Sequence, residues 1–211
     1  MTKPLTDEQR LALSEAIREA EERTSGEIYC VVARTSDSYF YPAAFVLALG
    51  MLIISQLVAF VLDRDWADMS IAVFAAAQIL AFAAALGVIW VFPALRIFFV
   101  PRRLRYLRAH DNALKQFLAH NIHLTSRRTG ILIFVSLAEH YAEVLADDGI
   151  SARVDQEEWN AIVAVLVKNA REDRLFDGLS QGIRRAGLLL SEHFPDGDDN
   201  PNELPDRVVE I

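Results

Sequence analysis

The chain has 211 residues, 53% of them hydrophobic and 24% charged, with a net charge of −8. That charge argues against a nucleic-acid partner, whose phosphates an acidic chain repels. Cys30 is the only cysteine, which excludes a disulfide within the chain and fits a reducing compartment.

The opening stretch "LTDEQRLALSEAIREAEERTSG" reads as a polar amphipathic helix and not as a signal peptide. Thr6 is placed to cap it, acids fill its first turn, and Gly26 is positioned to end it. Leu11, Leu13, Ala16, Ile17 and Ala20 form its apolar face. "EIYCVVA" then predicts a strand buried on both faces, with Cys30 as a structural thiol inside it.

Residues 42–62 carry no charge, and neither do residues 70–92. At about 1.5 Å per residue each stretch is long enough to cross a hydrocarbon core. Neither shows the polar face of a soluble core helix. The acidic segment between them, 63–69, is a tight outer connection in this reading, so the pair predicts a membrane hairpin. Arg96, Arg102, Arg103, Arg105 and Arg108 follow the second stretch, while the connection offers Arg64 against Asp63, Asp65 and Asp68. The positive-inside rule therefore puts both chain ends in the cytoplasm. Gln56 and Gln78 fall at nearly one depth in the two stretches, where a hydrogen bond between them is plausible. Ala77, Ala81 and Ala85 offer a small face for close helix contact.

Residues 103–123 predict a helix with Leu104, Leu107, Leu114, Phe117 and Leu118 as its apolar positions. "TGILIFVS" and "YAEVLAD" are strands whose short connection favours an antiparallel hairpin. Two further helices follow, the first capped by Asp155, and then a polar tail over 195–211 whose last apolar residues are able to dock. One helix and one strand cannot bury a core, so "EIYCVVA" needs strand partners from beyond the apolar hairpin, with "TGILIFVS" the expected neighbour. The expected organisation is one cytoplasmic α/β domain, 1–41 plus 93–194, interrupted by two spans at 42–62 and 70–92.

"TDEQRLALSEAIREAEERTSGEI", "FLAHNIHLTSRRTGILIFVSLAEHYAEVLADDGI", "EEWNAIV" and "NELPDRVVEI" resemble the TPM domain, specifically bacterial membrane-protein versions split by spans. The resemblance implies a small α/β/α sandwich around a central sheet. Some members of that family are acid phosphatases, and others bind calcium or modulate a membrane complex. Asp155 matches an aspartate that the family often carries at a helix start. Asp147, Asp148 and Gly149 stand where many members have Gly-Tyr-Gly, and "MTKPL" lacks the acidic residue many carry before the first helix.

No nucleotide loop, zinc spacing or nucleophile elbow is present. Asp147, Asp148 and Asp155 are the candidate oxygen ligands for a hard cation such as calcium, against a solvated turn and a helix cap. Arg127 and Arg128 are the candidate phosphate binders. His120 and His123 lie three apart with no third zinc ligand in sequence. Two functional classes remain open. One is a membrane-anchored module that binds a protein partner or itself. The other is a calcium-dependent, phosphatase-like hydrolase.

Overall fold

A computed structural model describes residues 5–64, 70–196 and 201–211. It contains a mixed α/β unit and, inserted in its sequence, a second compact unit over Asp37–Arg105.

The α/β unit starts with α1 (Asp7–Glu21). Thr6 accepts the Gln9 amide while the Gln9 side chain accepts the Thr6 amide, a reciprocal capping box. The helix ends at Glu22 and not at Gly26, so that glycine is not its cap. Gly26 packs instead against Leu190, whose side chain an added Cβ would crowd at 3.0 Å. Leu13 and Ile17 are buried, but Leu11, expected on the same face, points to solvent.

β1 (Glu27–Ala33) is buried throughout and pairs in parallel with β2 (Gly130–Ser136), Glu27 opposite Gly130 and Ala33 opposite Ser136. β3 (Tyr141–Ala146) returns antiparallel to β2. β4 (Val208–Glu210) adds itself in parallel to the other edge of β1, giving the order β3-β2-β1-β4. The tail's last apolar residues thus become a strand and close one edge of the sheet.

Both faces of the sheet are covered, as parallel strands require. Ile28, Cys30 and Val32 join Ile131, Ile133 and Val135 in a core with α1, α6 (Gln156–Arg171) and α7 (Leu175–His193). Tyr29, Val31 and Ala33 join Leu132 and Phe134 in a second core with Ala113 and Phe117 of α4 (Arg102–Ala119) and with Ile122. Burial pushes the Cys30 thiol up to about 12, which keeps it a protonated packing group. Gly187 of α7 lies so near α1 that an added Cβ would sit 2.6 Å from the Ala20 Cβ. On α4 the buried residues are Ala109 and Ala113, whereas Leu107, Leu114 and Leu118 of the expected apolar face are exposed.

The inserted unit holds α2 (Phe40–Arg64), α3 (Ile71–Val91) and a 3-10 segment, Pro93–Phe99. Both helices are long and apolar enough to cross a membrane, and their most apolar stretches are 0% buried. The connection expected over 63–69 falls from residue 65 onward outside the described residues. Tyr39, Ala43, Ile89 and Val100 form a buried cluster of their own, with Ile97 and Leu104 against it. The compact α/β unit itself comprises the chain up to Ser36 and from Tyr106 onward.

Candidate functional site

The acidic turn sits at one end of the sheet. Asp147 follows β3 and caps a short helix, α5 (Asp148–Ser151), by accepting the Asp148 amide at 2.7 Å. Because β3 runs antiparallel, this is the amino end of β1 and β2, where the Asp147 amide meets the Gly130 carbonyl. Open α/β sheets usually bind ligands at the opposite, carboxyl end. Arg128 lies across the pair, its Nε 2.8 Å from Asp147 Oδ2 and its Nη2 2.9 Å from Asp148 Oδ2. A guanidinium therefore occupies the position that a cation between these carboxylates would take. Gly149 permits the approach, since a Cβ there would lie 2.5 Å from the Arg128 carbonyl oxygen.

Asp155 begins α6 exposed, with no side-chain hydrogen bond to the helix start. Arg127 is exposed, whereas Arg128, in a left-handed conformation at φ 57, is committed to the two aspartates. His120 pairs with the Tyr29 hydroxyl at 3.0 Å, and burial lowers its pKa. Among the described residues no group of three His, Cys, Asp or Glu side chains is placed to hold a metal ion.

Near the same end, a set of carboxyls fixes the C-terminal segment. Glu21 accepts the Ile28 amide at 2.6 Å, and Glu27 accepts the Leu204 amide at 3.1 Å. Desolvation pushes the Glu21 carboxyl up to about 9, against the Ile28 hydrogen bond, with Glu27 and Asp206 adding repulsion. Glu27 is raised too, chiefly by burial. A side-chain hydrogen bond between Glu21 and Asp206 raises the Glu21 carboxyl further, and it joins α1 to the segment that leads into β4.

The carboxyl ends of β1 and β2 carry a group that pattern reading does not reach. Glu139, buried in the β2–β3 turn, accepts the Ser136 hydroxyl at 2.5 Å, the Ser36 amide at 2.9 Å and the Thr35 hydroxyl at 3.3 Å. Ser36 and Ser136 hydroxyls lie 2.7 Å apart. Ser136 spends its one proton on Glu139, so Ser36 donates to Ser136. The knot ties the chain leaving β1 to the turn after β2. Its only signal in the sequence is a glutamate in a four-residue turn, and its partners Thr35 and Ser36 lie 104 and 103 residues away.

In the inserted unit Gln56 is exposed and Gln78 half-buried, and no hydrogen bond joins them. Ala77 and Ala81 are also exposed. The less exposed stripe of α3 runs through Phe74, Gln78, Phe82, Ala85, Leu86 and Ile89 instead. Arg96, read from sequence as one of a run of charges, is a clamp. Its Nε donates to the Ile89 carbonyl at 2.7 Å, its Nη2 to Trp90 at 3.0 Å and its Nη1 to Ser38 at 3.2 Å. Ile89 and Trp90 belong to the last turn of α3, whose carbonyls have no partner within the helix. Ser38 precedes α2, so one side chain closes the base of the hairpin.

No family model matches the chain, and no curated protein matches it. Among solved structures, the NMR structure of the BA42 protein from the psychrophilic bacterium Bizionia argentinensis matches over 100% of this chain and 98% of its own. The identity is 19% and the TM-score 0.61, a likeness of fold.

Proposed function

We propose that the chain is a membrane-anchored module of the TPM type, whose cytoplasmic α/β unit binds or regulates a protein partner. The observation that supports it is the pairing of β1 with β2 across the inserted unit. An insertion that leaves the sheet intact, and whose two long helices expose apolar side chains along their length, suits an anchor. The arginines after α3 favour the cytoplasm for both ends. Arg128 across Asp147 and Asp148 weighs against the calcium-dependent hydrolase.

The test is cysteine labelling in intact cells, with Cys30 left in place because it is buried. A cysteine at Asp65 is expected to react with an impermeant reagent from outside, and one at Glu192 only after the membrane is breached. Labelling of Asp65→Cys only after breaching overturns the orientation. Release of the protein by alkaline carbonate overturns the anchor.

A further inference from the structure

α4 presents the wrong side chains to water. Its buried positions are the small Ala109 and Ala113, while Leu107, Leu114 and Leu118 are 52%, 40% and 57% exposed. At about 100° per residue the three leucines share an arc of roughly 40°, facing away from both alanines. Arg103, Arg108 and Lys115 flank this stripe, and Asp111 is the one acid on it. That basic surround stands out in a chain of net charge −8. A solvated helix turns leucine inward and lines its outer face with mixed charge. A leucine stripe edged with arginine and lysine is instead the pattern of a helix lying in a lipid interface.

We infer that the outer face of α4 docks on a membrane surface through anionic phospholipids, the leucines entering the acyl boundary and Arg103 and Lys115 meeting headgroup phosphates. The inference rests on reading α2 and α3 as spans. α4 starts at Arg102, 11 residues after α3 ends at Val91, so the chain places it within reach of the surface. Charge complementarity selects the occupant. Juxtamembrane cations gain about 1 kcal/mol each at an anionic leaflet, and a neutral partner surface offers no such gain.

The experiment uses the full chain carrying Leu114→Cys and a nitroxide label, inserted into vesicles. One set is phosphatidylcholine alone; in the other, a third of the lipid is phosphatidylglycerol. Collisions with oxygen report lipid and those with a nickel chelate report water; Glu192→Cys is the water-facing control. Phosphatidylglycerol is expected to raise oxygen and lower nickel collisions at Leu114 and leave Glu192 unchanged. Replacing Arg103 and Lys115 by Gln is expected to lower the docked-to-free ratio about thirtyfold. High salt on the unsubstituted flank is expected to act in the same direction, which covers a variant that fails to fold.

Equal nickel access in both lipids, with the chain still resistant to carbonate, overturns the inference alone. Protection that appears in detergent and grows with protein concentration overturns it in favour of a second copy. A chain stripped by carbonate overturns the span reading beneath it.

Discussion

Replacement of Arg96 separates two roles that a count of charges treats as one. If the residue acts only by its sign, as the positive-inside rule uses it, Arg96→Lys leaves the protein unchanged. The clamp geometry demands more. One ammonium cannot serve Ile89, Trp90 and Ser38 together as the planar fork does. Charged donors contribute about 1.5–3 kcal/mol per bond when buried, and the two outer bonds are exposed and discounted to less than about 1 kcal/mol each. The Phe40 ring, 5.4 Å from the guanidinium carbon, adds about 0.5 kcal/mol. Arg96→Ala is therefore expected to destabilise the inserted unit by about 2–4 kcal/mol, and Arg96→Lys by roughly half as much. Both are measured by denaturant unfolding in mixed micelles, followed by Trp90 fluorescence with the other tryptophans replaced by Phe. A lysine variant that matches the parent, or an alanine variant within about 0.5 kcal/mol of it, refutes the clamp.

Glu139→Ala removes a buried acceptor from three donors and is expected to cost about 3–5 kcal/mol; Glu139→Gln, whose NH2 must face donors, should lie between it and the parent in the same melts. Glu21 and Glu27 hold protons more tightly folded than unfolded, so their stabilisation is complete below about pH 4.5 and declines as pH rises, for Glu21 as far as about 9. The protection factors of the Val208–Glu210 amides, taken against the intrinsic exchange rate at each pH, should therefore fall across that window, and Glu21→Gln should flatten that fall; an unchanged slope in that variant removes the carboxyl contact as its cause. Millimolar calcium is expected to leave the melting temperature unchanged while Arg128 spans Asp147 and Asp148, so a calcium-dependent rise abolished by Asp147→Asn would restore the hydrolase reading. Gly149→Ala is expected to cost about 1–3 kcal/mol in thermal melts, since its Cβ meets backbone that cannot swing aside.

Local rules made part of this fold legible. The capping box at Thr6 and the unbroken apolar run of β1 are readable within a few residues, and the need of β1 for partners pointed to β2. What escaped depends on distance or on competition between rules. β4 is three residues in an acidic, proline-containing tail, too short for periodicity to register. The leucines of α4 were assigned inward because leucine usually is, yet the helix sits on its alanines. The Glu139 knot joins residues about 100 positions apart. The aspartate pair was visible, but not that β3 carries it to the amino end of the parallel strands, or that Arg128 reaches it there.

The register of β1 against β2 also sets an order of events during synthesis. Glu27 finds Gly130 as its partner, and Cys30 finds Val208. At about 5–20 residues per second, β1 waits roughly 5–20 s on the ribosome before β2 has been made. The whole apolar hairpin is synthesised in that interval, before the sheet has a second strand. On the proposal that α2 and α3 span a bilayer, this delay lets the translocon receive them while the α/β unit is still open. β4 pairs with β1 only after both long helices have been made. Moving "VVEI" upstream of the hairpin would remove that ordering, because β1 and β4 could then pair before α2 and α3 had been made.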